Sequence, residues 1–189
     1  MAGFDFVLVL LSFVYALALA VVLQSAGRLV IERHRVKFSG LLALAMLNAV
    51  VTVFISWLGM WLYRDTKGIT LYDVTLFFVS SLLIYLFCVS VSPEPDEAGE
   101  VNMGAFFGAQ ARFIYGVYAL LILSYAAATA IYLRTSHPEL FVQQTLVDVP
   151  PFAVALVGFL SRNERVQWAV GILILIISVA WAIVFNGSF

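Results

Sequence analysis

Of 189 residues, 63% are apolar and 11% are charged, and the mean hydropathy is +1.05, whereas soluble domains carry roughly 25% charge. That excludes a water-soluble fold, and a net charge of −1 gives no basic face for nucleic acid. One cysteine permits no disulfide within the chain, and about 119 apolar positions match the need of six membrane spans at roughly 20 residues each.

The first apolar run, residues 4–24, is interrupted only by Asp5, Ser12, Tyr15 and Gln24. Met1 to Phe4 hold no Lys or Arg, so the run reads as a spanning helix and not as a cleavable signal. Further runs follow at about 40–62, 70–91, 105–133, 138–160 and 167–185. The expectation is one all-α transmembrane domain over residues 1–189, a six-helix bundle. Its connections are short, the longest being RLVIERHRVK at 28–37. No soluble domain fits between spans, so the chain acts in the bilayer or at its surfaces. The segment from Ser92 to Glu100 has two prolines, four acids and no base and reads as a mobile spacer.

Positive charge on short loops sets orientation. Arg28, Arg33, Arg35, Lys37, Arg112, Arg162 and Arg165 fall on one side, and Arg64, Lys67 and Arg134 on the other. The side richer in positive charge is expected to be cytoplasmic, with both termini outside. In a bacterium this is an inner-membrane protein.

On the second span Asn48, Thr52, Ser56, Gly59 and Tyr63 recur every three or four residues, which is one helical face. The third carries Ser81, Tyr85, Cys88 and Ser92, and the fourth Tyr115, Tyr118, Tyr125, Thr129 and Tyr132. Such faces serve as packing seams or line a wetted path. Trp57, Trp61, Trp168 and Trp181 lie toward span ends, where indoles anchor at the interface.

The fifth span departs most from an ordinary membrane helix. Ser136 and Glu139 around Pro138 form a capping-box pattern. The segment then places Gln143, Gln144, Asp148, Pro150 and Pro151 within a single span. Adjacent prolines remove two amide donors, leaving carbonyls near Leu146 and Val147 without helical partners and predicting a kink near Pro150. Gln144 and Asp148 lie four apart on one face beside this break. An ionisable residue at such depth marks a functional-site candidate. The alternative lays residues 134–149 along the outer surface, with the span beginning at Pro150. That leaves only 11 residues to Leu160, about 16 Å against roughly 30 Å of hydrocarbon.

A 100-residue offset aligns FVYA at 13–16 with FIYG at 113–116 and Asn48 with Asp148. This is a candidate 3+3 inverted repeat, an arrangement that secondary transporters use. Both lysines, Lys37 and Lys67, lie in loops, which excludes a retinal Schiff base within a span. His34 and His137 fall on opposite sides, so intramolecular haem is not expected, and Cys88 reads as a packing residue. No GxSxG, HExxH or P-loop is present. Neither enzymatic activity nor a cofactor or metal is expected.

The candidate transport or ion-binding residues are therefore Asp148, Gln144, Asn48, Thr52 and Tyr85, with the helix break at Pro150 and Pro151. Two functions fit: a transporter or channel for a small ion or solute, or a non-catalytic accessory or assembly subunit of a larger membrane complex. Expected partners are the lipid bilayer and further subunits, in a homo-oligomer or a larger complex. The orientation makes a direct prediction. Cysteines introduced singly at Ala2 and Ser188 should both react with an impermeant thiol reagent on intact cells, whereas labelling of one terminus alone would require an odd number of crossings.

Overall fold

A computed structural model describes residues 2–60, 70–94, 100–136 and 138–186, with side chains described within 7–60, 70–94, 100–130 and 147–183. The helices are α1 Ala2–Ile31, α2 Gly40–Gly59, α3 Leu71–Ser90, α4 Met103–Ser136, α5 Pro138–Leu160 and α6 Glu164–Asn186. Two two-residue strands, β1 Val36–Lys37 and β2 Val101–Asn102, complete the described elements. Among the described residues five helices are long and apolar enough to cross a membrane, and α5 contributes the shorter apolar stretch Val147–Leu160.

Each expected span thus coincides with a helix, with differences at the ends. α1 continues past residue 24 because nothing interrupts it: Val22, Ser25 and Leu29 keep one buried face, and no proline intervenes. α3 starts with a capping box that explains the acid at its end. Asp73 N donates to Thr70 Oγ1 at 3.3 Å, and Thr70 N donates to Asp73 Oδ2 at 2.9 Å, so an amide at each end of the box gains a partner. Asn163 does similar work for α6, accepting from Arg165 N at 3.0 Å. The Ser136–Glu139 capping pattern, Tyr63 and Trp61 lie outside the described residues or side chains.

Side-chain contacts fix the helix directions. Tyr15 is hydrogen-bonded to Ser81 and Ser25 Oγ donates to Pro93 O at 2.9 Å, so α1 and α3 run parallel. Phe87 meets Tyr118 with ring centroids 5.3 Å apart, and Ser80 meets Ser124 at 3.0 Å, which makes α3 and α4 antiparallel. Asn48 reaches Gly171, and Gly59 faces Trp181, so α2 and α6 run parallel. α1 and α3 therefore run one way and α4 the other, while α2 and α6 share a direction, as an alternation of consecutive crossings requires.

The α1–α2 and α3–α4 connections meet at one end of the bundle. A short 3-10 turn, Arg33–Arg35, leads into β1, which pairs in parallel with β2 in the register Val36 to Val101 and Lys37 to Asn102. Lys37 Nζ lies 2.8 Å from Glu100 Oε2. The mobility expected of Ser92 to Glu100 falls chiefly on residues outside those described, while both ends of the segment make contacts. Residues 95–99 lie outside the described residues, but the flanks are tied down, Pro93 by Ser25 and Glu100 by Lys37. The sequence reading found no base within the segment; the base comes from another loop.

The hydrogen bond and charge of Lys37 hold the Glu100 carboxyl below its ordinary range, and Glu100 raises Lys37 in return. Both groups are exposed, so the pair contributes little to stability and is screened by salt. Its contribution is present above the ordinary Glu pKa and is lost as pH falls through the lowered value. At the alkaline end it is lost as pH rises through the raised value of Lys37. The strand register is set by backbone pairing and not by this ion pair. A Lys37→Cys, Asn102→Cys protein should form an intramolecular disulfide on mild oxidation, while Phe38→Cys with Asn102→Cys should do so less well. Equal yields from both pairs would contradict the register.

Candidate functional site

Asn48 sits on the buried face of α2, 4% exposed, and donates from Nδ2 to the carbonyl of Gly171 on α6 at 2.9 Å. An amide nitrogen must face that carbonyl, which turns Oδ1 the other way. Oδ1 is buried and has no partner among the described residues. The approach of α2 to α6 depends on Gly171, where an added Cβ would lie 2.8 Å from Leu44 Cδ2. Thr52, one turn further along α2, is also buried, and its carbonyl accepts the Ser56 hydroxyl at 2.6 Å. Ser56 in turn meets the Tyr125 hydroxyl of α4 at 2.5 Å.

Gln167, which the sequence reading passed over as the start of a span, is 4% exposed. Its Nε2 donates to the carbonyls of Gly158 at 2.9 Å and Ser161 at 2.5 Å. These belong to the C-terminal end of α5, where carbonyls lack helical donors. Its own carbonyl receives the Tyr115 hydroxyl at 3.4 Å, and its Oε1 is a second buried acceptor without a described partner. A buried acceptor left unpaired costs about 1–3 kcal/mol. Asn48, Tyr115, Tyr118 and Gly171 share a cavity of about 10 Å³. The available signal for Gln167 is its position one turn before Gly171, on the same face of α6.

Asp148 is half-buried on α5. α4 and α5 are consecutive helices that pack along one another and so run antiparallel, and Gly158 abutting the Tyr115 ring sets a register that puts Asp148 level with Tyr125. Ser80 pairs with Ser124, so this level falls near the middle of α3, about 13 Å along the helix from its start. Gln144 lies in α5, but its side chain is outside those described. α5 is continuous through Pro150 and Pro151, so the proline pair does not unwind the chain. The amide bonds that the two residues cannot donate are lost within an unbroken helix.

The candidate residues do not form one cluster. Tyr85 is 38% exposed and stands on the outside of the bundle, unlike Asn48 and Thr52. Members of the stripes on α2, α3 and α4 act between helices of this chain, Ser56 with Tyr125, Ser81 with Tyr15 and Tyr118 with Ser178, and Ser80 with Ser124 adds a pair outside them. Trp57 belongs to the same set, donating to Ser12 Oγ at 3.3 Å, so it ties α1 to α2 and is not solely an interfacial anchor. Such bonds average about 0.6 kcal/mol in membranes. Ser80, Ser124 and Ser178 were not singled out from sequence, because hydroxyls within one helix carry no record of the opposing surface. Cys88 is buried and unpaired, and no three His, Cys, Asp or Glu side chains converge among the described residues.

No family model matches the chain, and neither a curated protein nor a solved structure does.

The close approaches generate a prediction. An added Cβ at Gly158 would stand 2.8–2.9 Å from three atoms of the Tyr115 ring, whereas Gly108 has nothing within 4 Å. Gly158→Ala should destabilise the protein by about 1–3 kcal/mol, since a ring base cannot turn aside. Gly108→Ala should be neutral or stabilising by up to about 1 kcal/mol through helix propensity. Thermal unfolding in detergent reads both, and a Gly158→Ala protein as stable as wild type would contradict the α4–α5 packing.

Proposed function

We propose that this chain is a multi-pass protein of a bacterial inner membrane that moves a small ion or solute across the bilayer, without enzymatic chemistry. Asp148 is the residue that takes up a cation or proton. The observation that carries the reading is the position of Asp148: half-buried, level with Tyr125 and with the middle of α3, on a helix that holds two prolines. A carboxylate at mid-span level is costly to keep and is ordinarily retained for function.

In this reading α5 bends near Pro150, where the missing amide bonds make bending cheap. Gln144, one turn before Asp148, contributes a neutral polar group on the same face. Asn48 and Thr52 border the route on α2, whereas Tyr85, exposed on the outside of the bundle, takes no part in it. Both termini face outward, following the distribution of positive charge. The mechanism does not require a 3+3 inverted repeat. α1 lies chiefly along α3, whereas α4, its counterpart in such a repeat, lies chiefly along α5.

One observation favours the second reading, a non-catalytic accessory or assembly subunit in a homo-oligomer or a larger complex. Polar side chains of α2, α3 and α4 such as Ser56, Ser80, Ser124 and Tyr125 are taken up by contacts within the chain, and the cavity beside Asn48 measures only about 10 Å³. The small face of α2 does not serve as the docking surface, because Ser56 and Gly59 already face Tyr125 and Trp181. Identification of stoichiometric subunits copurified from native membranes addresses this reading directly.

Asp148→Asn preserves size and hydrogen bonding and removes the titratable charge. Purified protein in liposomes should show ion or proton flux that this substitution reduces to the level of protein-free vesicles, with thermal stability and native mass unchanged. Asp148→Glu should keep part of the flux. Equal flux from wild type and Asp148→Asn would overturn the reading.

A further inference from the structure

The Asn48 cavity is a site in its own right, apart from any role of Asp148. Asn48 has committed its nitrogen to Gly171 O at 2.9 Å, is 4% exposed, and keeps an acceptor oxygen with no partner among the described residues. The cavity it lines is otherwise walled by Gly171, aliphatic side chains such as Leu41 and Ile174, and the rings of Phe87, Tyr115 and Tyr118. The polar atoms that these side chains add are the two tyrosine hydroxyls. Tyr115 makes only a long bond of 3.4 Å to Gln167 O, and Tyr118 is hydrogen-bonded to Ser178.

These features define what can bind. The unmet group is an acceptor, so the ligand must donate a proton or carry positive charge. No Asp or Glu lines the cavity, and an uncompensated cation in a low-dielectric interior is strongly disfavoured. The volume of about 10 Å³ sits at the lower bound for one water, which needs two or more polar partners. Asn48 Oδ1 and a tyrosine hydroxyl supply that number. We propose that the cavity between α2, α4 and α6 binds a single internal water that donates to Asn48 Oδ1 and bridges it to Tyr115 or Tyr118. The inference does not rest on the transport reading, since a bound water ties three helices together whether or not anything moves through them.

Radiolytic footprinting of the full chain in lipid nanodiscs tests this, because hydroxyl radicals made from a bound water oxidise the side chains that touch it. Tyr15 is the internal reference: it is as deeply buried as Tyr115, at 5% each, and is hydrogen-bonded to Ser81. The expected result is oxidation of Tyr115 or Tyr118 well above Tyr15 in the wild-type chain. That excess should be lost in Asn48→Leu, which removes the acceptor and fills space, with Tyr15 unchanged. Oxidation of Tyr115 and Tyr118 no greater than that of Tyr15 in the wild type would overturn the proposal, independently of whether the variant folds. Thermal unfolding in sodium, lithium, potassium or choline chloride at equal ionic strength separates water from a cation. Stability independent of the salt supports water, and a rise with one metal cation that Asn48→Leu abolishes would overturn it in favour of an ion site.

Discussion

Hydrocarbon offers a polar group nothing, so whatever α1 to α6 carry in the way of hydroxyls, amides and carboxylates must be satisfied by one another or by bound water. Helices already surrounded by apolar lipid also gain no hydrophobic drive from meeting. Their arrangement rests on close approach and on cross-helix hydrogen bonds. Both are visible here. Gly171 lets α6 approach Leu44 and Asn48, Gly158 lets α5 approach the Tyr115 ring, and hydroxyl pairs such as Ser80 with Ser124 and Ser56 with Tyr125 fix the register between helices.

This constraint divides the polar residues into two groups. Most are matched within the chain and explain the fold. Among the described residues three stand apart: Asn48 Oδ1 and Gln167 Oε1, buried acceptors without partners there, and Asp148, whose level in the bundle follows from the α4–α5 register. The two amide residues both adjoin Tyr115: Asn48 lines a cavity with it, and the backbone carbonyl of Gln167 accepts its hydroxyl. Asp148 lies about 15 Å along α5 from Gly158, toward the opposite end of the bundle. A small site for a neutral donor and a separate carboxylate thus occupy different levels of the same helical frame.

How far the sequence carries can be followed residue by residue. The six helices were legible because apolar runs separated by charged connections leave few alternatives, and the ends differed by a few residues, most at α1, which held its buried face to Leu29. Asn48 was legible as a polar residue on the α2 stripe, but its partner was not, since Gly171 lies 123 residues away. Tyr85 was misjudged as a lining residue because helical spacing defines a face without saying which neighbour it meets. Gln167 was missed for the same reason: its role depends on the carbonyls that α5 presents to it. The Lys37–Glu100 pair and the β1–β2 ladder were beyond a reading that treated each loop alone, because their partners come from separate connections. Pro150 and Pro151 were correctly recognised as depriving α5 of amide donors, yet the helix persists through them.

The central claim is that Asp148 is a carboxyl group held within the bundle that binds and releases a proton or cation. Reaction with a hydrophobic carbodiimide, which attacks protonated carboxyls reached through lipid, tests it most directly when the sites are mapped by mass spectrometry. The account predicts that Asp148 is modified ahead of Glu94, Glu100 and Glu164, that a water-soluble carbodiimide does not reproduce this preference, and that raising the pH suppresses it. An Asp148 that stays unmodified, or that reacts alike with both reagents, would contradict the account.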